Sequence, residues 1–128
     1  MANQPTVRQA LEGTWAIAWG DQGQRQPSTL GALILANGRY GVRWMRGAKP
    51  STALLRRLPF LARRGGSYSV SLWRGVTPDR RLDRGLDVIA QVSFGAHKLL
   101  LRYDPKRNRL YFHGTVSELQ LWSLTRQL

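Results

Sequence analysis

Arginines around an apolar stretch are the side chains whose chemistry stands out first in this sequence of 128 residues. The set lies within residues 49–66 and comprises Arg56, Arg57, Arg63, Arg64, Leu58 and Phe60. A guanidinium group presents a planar fork of donors that matches carboxylates and phosphates. Arginines beside apolar anchors are common at the centres of protein interfaces. The pattern therefore predicts a docking surface for an acidic macromolecule, in the first place another protein.

The charge of the whole chain points the same way. Lys and Arg number 20 against 7 Asp and Glu, which gives a formal net charge of +13. Such a field attracts polyanions, whether acidic proteins, nucleic acids or anionic lipids. Arginines also alternate with aromatic residues in several segments, a pattern that suits single-stranded nucleic acid. The remaining interpretation is a charged surface that serves solubility alone, in a genome biased toward arginine.

Residues that carry catalysis or bind metals are scarce. The two histidines, His97 and His113, belong to no metal-binding spacing. Asp79, Asp83 and Asp87 alternate with arginines, which favours exposed ion pairs over a metal site. Because the chain has no cysteine, disulfides, thiolate metal sites and a cysteine nucleophile are excluded. We expect a non-enzymatic binding domain that uses no metal and no cofactor.

The location follows from two further features. The first residues lack the apolar segment of a signal peptide, and no run of about eighteen apolar residues is present. We therefore expect a cytoplasmic protein without a transmembrane segment.

Much of the chain outside the basic stretch alternates between apolar and polar residues. This alternation is typical of antiparallel strands. Asn37-Gly38 between two such runs is a strong signal for a hairpin. The eight predicted strands cover residues 13–19, 29–36, 39–46, 67–73, 86–94, 98–103, 109–116 and 119–126. An up-and-down meander of this kind removes its edges by closing into a barrel. We expect one all-β domain over residues 1–128.

Two segments do not fit the meander. Residues 5–12 have the character of a short helix that would cover one end of the barrel. Residues 49–66 form a basic excursion in which leucines follow a helical spacing that Pro59 interrupts. We expect the excursion to be a projecting arm or a two-part cover.

The two ends of the chain resemble a known family. Gly13-Thr14-Trp15 opens the first strand and Arg126 ends the last, which resembles the calycins: lipocalins, fatty-acid-binding proteins and avidins. The resemblance implies a barrel in which Arg126 packs over the Trp15 indole. It also implies that a small apolar or anionic ligand is carried inside the barrel, and the residues expected to contact it are Trp15, Tyr40, Trp44 and Arg126. The Thr-Asp-Tyr motif of lipocalins is absent.

Overall fold

The protein folds as a closed barrel of eight antiparallel strands in sequence order, as predicted. The structure is a computed structural model that describes residues 4–19, 28–48, 50, 52–83, 85–113 and 122–126. The strands are β1 Gly13–Trp19, β2 Ser28–Ala36, β3 Arg39–Trp44, β4 Gly65–Ser71, β5 Val88–Phe94, β6 His97–Asp104, β7 Arg109–Phe112 and β8 Trp122–Arg126. Each strand pairs with the next, and β8 pairs with β1 to close the barrel.

The β2–β3 hairpin forms where the sequence predicts it. Asn37 and Gly38 have φ angles of 53° and 77°, which places both in the left-handed region. Two consecutive left-handed residues give a turn whose twist matches that of the flanking strands, and Asn-Gly tolerates it best. The turn fixes the register, in which Ala36 pairs with Arg39 and Leu33 with Val42.

Apolar residues at alternate positions of the strands point inward and fill the interior of the barrel. The inward residues form one buried cluster with the helical segments, and its large members on strands include Trp15, Ile17, Leu33, Leu35, Tyr40, Val92, Phe94, Leu101, Leu110 and Leu124. The first strand is buried on its second face as well, because Ala16 and Ala18 are also shielded from water. Ala18 pairs with Ser123, which in turn pairs with Tyr111, and all three are buried. A strand covered on both faces explains why β1 carries no charge.

A short helix, α1 (Val7–Leu11), covers the end of the barrel where β1 begins. Thr6 caps the helix: its hydroxyl accepts from the Gln9 backbone amide, and the Gln9 side chain accepts from the Thr6 amide. The β4–β5 connection holds the segment in place, since the Val7 amide donates to Arg80 and the Leu82 amide to Pro5. The predicted N-terminal helix is therefore present within residues 5–12.

The basic excursion covers the opposite end, because the β3–β4 connection leaves β3 at the end away from the Asn37-Gly38 turn. It contains α2 (Thr52–Arg57) and a 3₁₀ helix (Pro59–Ala62), so the proline starts a second helical piece. Leu54, Leu58, Phe60 and Leu61 are buried in the barrel cluster. Residues 52–64, which we call the cover, are thus a two-part cover and not a projecting arm.

Some strand boundaries differ from the prediction. β4 begins at Gly65 instead of residue 67, since Gly65 and Gly66 pair with Gly41 and Tyr40 of β3. Leu72 and Leu86 were predicted to belong to strands, yet they lie beyond the ends of β4 and β5 and are largely exposed. Residues 114–121, in which the seventh strand was predicted to end and the eighth to begin, lie outside the described residues.

The β6–β7 turn is held by a buried carboxylate. Asp104 accepts hydrogen bonds from the backbone amides of Lys106 and Arg107 at 3.0 and 3.3 Å and from the Arg107 guanidinium at 2.9 Å. Burial by itself would raise the pKa of Asp104, but these hydrogen bonds outweigh it and hold the pKa below its ordinary value.

Asp104 should make the stability of the fold sensitive to acid. A carboxyl whose pKa is lower in the folded protein stabilises it at neutral pH, and that stability is lost as pH falls from about 3.9 through the lower folded pKa. We expect Asp104→Asn to flatten the fall of the unfolding free energy below about pH 4, measured by denaturant titration at a series of pH values. Asp79→Asn, at an exposed ion pair, should leave the fall unchanged; equal flattening in both variants would contradict the assignment.

Candidate functional site

The closed end of the barrel is built around Trp15, which is 0% exposed. The guanidinium carbon of Arg126 lies 4.3 Å from the centre of the indole, as the resemblance implied. A cation over the face of an indole is attracted by the negative ring face and covers apolar surface at the same time. The edge of Tyr103 meets the indole at 6.2 Å, and the indole Nε1 donates to the Leu11 carbonyl at 2.9 Å.

The Arg126 guanidinium also forms hydrogen bonds with the end of α1, with the residue before β1 and with the β6–β7 turn. Its Nη1 donates to the Glu12 carbonyl at 2.6 Å, and its Nη2 donates to the Ala10 carbonyl. Its Nε donates to the Asn108 side chain at 2.9 Å, and that same oxygen accepts from the Tyr103 hydroxyl. These contacts satisfy carbonyl groups at the end of α1, where a helix leaves acceptors unpaired. Trp15 and Arg126, two of the residues predicted to contact a ligand, thus contact each other and the segments at the end of the barrel where β1 begins.

Tyr40 and Trp44, the other two predicted ligand residues, lie beneath the cover. Tyr40 is buried and meets the rings of Phe60 and Phe94 edge-on at 5.7 and 5.3 Å. Trp44 is half-buried and its Nε1 donates to the Leu61 carbonyl at 3.3 Å. The four predicted ligand residues thus form two separate groups, one at each end of the barrel.

The predicted docking set is also divided. Arg56, Arg57, Arg63 and Arg64 are exposed on the cover. Leu58 and Phe60, predicted as the apolar anchors of the contact, are only 2% and 4% exposed. Helical spacing shows that one face is apolar but does not say whether that face meets a partner or the protein's own core. Here it meets the core, so those two residues are unavailable to a partner.

Exposed arginines continue from the cover onto the neighbouring strand. The Val42 amide donates to the Arg64 carbonyl at 2.8 Å, which places the end of the cover directly beside β3. We define the arginine face as the exposed arginines of β3, its end and the cover: Arg39, Arg43, Arg46, Arg56, Arg57, Arg63 and Arg64. The sequence analysis missed the three members outside the cover.

The arginine face belongs to a part of the chain without acids. No Asp or Glu occurs between Asp21 and Asp79, an interval that contains ten Lys and Arg. This gap is visible in the sequence and is the signal that would have revealed the extent of the face. The four ion pairs of the described residues use arginines outside the interval: Arg8–Asp79, Arg80–Asp83, Arg102–Asp87 and Arg107–Asp104. The four carboxylates of these pairs thus bind arginines that do not belong to the face.

The remaining ionisable residues form no reaction centre. The predicted ion pairs of Asp79, Asp83 and Asp87 are confirmed, each with a different arginine. Within the described part of the chain, no three side chains of the metal-binding types come together. His97 begins β6 and lies against the Phe60 ring, at 5.9 Å between ring centres.

Among the helices of the described residues, none has both the length and the apolar character needed to cross a membrane. Comparison of the chain with models of protein families, with curated proteins and with solved structures finds no match.

Proposed function

We propose that the protein is a non-enzymatic binding domain that docks on an acidic protein through the arginine face. The observation that supports this proposal is the set of exposed arginines that belong to a stretch of the sequence without acids. In the described residues, Arg39, Arg43, Arg46, Arg56, Arg63 and Arg64 have no carboxylate within ion-pair distance. Their donors are free to bind carboxylates of another molecule.

The physical basis is long-range attraction followed by short-range pairing. A surface of one sign raises the local concentration of an oppositely charged partner and speeds its association. At contact, each guanidinium can form two parallel hydrogen bonds with a carboxylate. Because these arginines lie on β3 and on a cover whose apolar side chains are anchored in the core, they are presented by a folded scaffold.

The aromatic residues favour an acidic protein over single-stranded nucleic acid. Binding of single strands uses exposed rings on which bases stack. Tyr40, Tyr103 and Tyr111 are buried, Trp44 is held beneath the cover, and the ring of Trp73 is covered by the Arg74 guanidinium at 4.8 Å. The rings that alternate with arginines in the sequence therefore offer no stacking platform in the described part of the barrel.

We further propose that the barrel is of the calycin type. Support comes from Gly13-Thr14-Trp15 at the start of β1 and from the Arg126 guanidinium over the indole. Gly13 has a φ of 133°, and a Cβ there would lie 2.7 Å from Arg126 Nη1. Glycine at this position therefore leaves room for the arginine.

Removal of three arginines tests the proposed docking. We expect Arg56→Ser/Arg63→Ser/Arg64→Ser to keep its thermal midpoint within a few degrees, because exposed charges contribute little to stability. The same variant should bind fluorescent poly-L-glutamate at least tenfold more weakly, about 1.4 kcal/mol. Anisotropy titrations at about 0.15 M salt suppress weak long-range attraction.

The matched control removes the same charge from the other end of the barrel. Arg74→Ser/Arg80→Ser/Lys106→Ser lowers the net charge equally, so it should bind poly-L-glutamate within about threefold of the unmodified protein, less than 1 kcal/mol. If both variants bound poly-L-glutamate equally weakly, net charge alone would explain the loss. The proposal that the arginine face is the docking surface would then be wrong. Tighter binding of a labelled RNA strand or DNA duplex than of poly-L-glutamate under these conditions would reject an acidic protein as the partner.

A further inference from the structure

We infer that a cavity beside α1 is a second binding site, which takes a small α-amino acid. The cavity has a volume of about 270 Å³. This value is just below the range of about 300–1,000 Å³ that is usual for drug-sized ligands, so it suits a smaller molecule. The described residues that line it are Arg8, Glu12, Asn37, Gly38, Tyr68, Ser69 and Val70, and none of them belongs to the arginine face.

Three segments meet around the cavity at the end of the barrel that α1 covers. Arg8 lies on α1, and Glu12 follows the helix directly, four positions or about one turn further along. The Tyr68 amide donates to the Gly38 carbonyl at 2.9 Å, which places β4 beside the turn between β2 and β3. The cavity is therefore bordered by the helix, by this turn and by β4.

The cavity is lined by two opposite charges that do not pair with each other. Glu12 has no ion-pair partner in the described part of the chain, although every other acid there binds an arginine. The Arg8 guanidinium donates from Nη1 to Asp79 at 3.0 Å, and its other donors form no hydrogen bond with the described residues. An arginine and a glutamate one turn apart can normally pair. Here both line the cavity and stay beyond ion-pair distance, so a ligand that carries both charges can bind between them.

A tyrosine hydroxyl without a partner faces the same two charges. Tyr68 is only 7% exposed, and its hydroxyl forms no hydrogen bond with the described residues. Every fully shielded polar side-chain atom of these residues has a partner, so this hydroxyl is open to the cavity that Tyr68 lines. Burial raises the pKa of Tyr68, the charge of Glu12 raises it further, and the charge of Arg8 opposes the rise. Both charges therefore act on a hydroxyl of the kind that usually has a partner in a folded protein.

These three groups match the two charged ends of an α-amino acid. The Glu12 carboxylate can accept from the ligand's ammonium group, and the Arg8 guanidinium can donate to its carboxylate. The Tyr68 hydroxyl can accept from the one or donate to the other. Because a zwitterion has no net charge, the net charge of +13 neither attracts nor repels it as a whole, and binding depends on the local pair of charges. Val70 is half-buried at the cavity and suits a short apolar side chain.

Titration with L-alanine tests the site, with L-alanine methyl ester and propionate as matched probes. The ester keeps the ammonium group and propionate keeps the carboxylate, so each probe lacks one of the two charges. We expect the amide NMR signals of Glu12, Gly38 and Ser69 to shift most, and L-alanine to bind at least about tenfold more tightly than either probe. Equally tight binding of propionate would indicate a general attraction of anions to a basic protein and would overturn the inference, as would the absence of L-alanine binding.

Two conservative variants assign the binding to this cavity. Glu12→Gln keeps the backbone carbonyl that accepts from Arg126, and it should weaken L-alanine binding at least about tenfold. Tyr68→Phe removes only the hydroxyl and should weaken binding about fivefold. The matched controls are Asp83→Asn, at an exposed ion pair, and Tyr111→Phe, at another buried tyrosine, and each should change binding less than about twofold.

The variants also give the results that would contradict the site. Unchanged L-alanine binding to a folded Glu12→Gln protein would overturn the inference. Should Tyr68→Phe not fold, equal effects of Glu12→Gln and Asp83→Asn would overturn it, as would shifts centred on interior residues such as Leu33. Because the poly-L-glutamate test uses a different ligand and different residues, failure here leaves the proposed docking function intact.

Discussion

Trp15→Ala is expected to lower the free energy of unfolding by about 3–5 kcal/mol, the usual cost of truncating a fully buried aromatic residue. The indole has no exposed surface and is enclosed by Tyr103, Arg126 and the end of α1. Its loss leaves a cavity and also leaves the Leu11 carbonyl without its donor. Denaturant titration followed by far-ultraviolet circular dichroism measures the change without relying on the removed fluorophore.

Trp73→Ala is the matched control for that measurement. Trp73 is half-buried outside the main cluster, with the Arg74 guanidinium over its ring at 4.8 Å. Its truncation should cost about 1 kcal/mol, since it loses partial burial and one exposed cation–π contact. Similar losses in the two variants would contradict a special role of Trp15 in closing the barrel.

Arg126→Leu is expected to cost about 3 kcal/mol, although leucine is itself apolar and fills space. The substitution leaves two backbone carbonyls and the Asn108 side chain without a charged donor. Each such hydrogen bond typically contributes about 1.5–3 kcal/mol. The net cost is smaller than the sum, because the structure relaxes and water can reach the unpaired groups. Arg126→Lys should recover little of the loss, because one ammonium group cannot reproduce the planar fork that reaches Glu12, Ala10 and Asn108.

The control for Arg126 isolates the cation–π contribution. Arg74 also lies over an indole, but no hydrogen bond joins it to the described residues. Arg74→Leu should therefore cost no more than about 1 kcal/mol. If Arg126→Lys retained the stability of the unmodified protein, charge over the ring would suffice, and the backbone hydrogen bonds would not be the main contribution.

The barrel was predictable because its signals are local or regular. Alternation locates several of the strands, and Asn37-Gly38 fixes one turn and thereby one register. The contact between Trp15 and Arg126 was predictable only through the resemblance to calycins, since no local pattern links residues so far apart in sequence. Once β8 pairs with β1, those two residues are opposite each other in the ladder.

The parts that sequence reasoning missed depend on tertiary placement. The leucines of the cover and Phe60 have the same spacing whether they meet a partner or the core, so their burial followed only from the position of the cover. The cleft between the 3₁₀ helix, the first residues of β4 and the β5–β6 turn arises from the offset between the β3–β4 and β4–β5 registers, which no single segment encodes. A ligand inside the barrel remains a prediction of the resemblance.

The hydrogen bonds of Arg126 also have a consequence for how the chain reaches its fold. The guanidinium donates to Glu12, 114 positions earlier, and β1 gains its second neighbour only from β8. During synthesis β1 and β2 can pair at once, but the other edge of β1 stays unsatisfied until all the intervening strands have emerged. Contacts of such sequence separation slow folding, and an open apolar edge can pair with other chains. We therefore expect the unpaired edge of β1 to be a site of aggregation during synthesis, a risk set by the time before β8 emerges and not by the stability of the finished barrel.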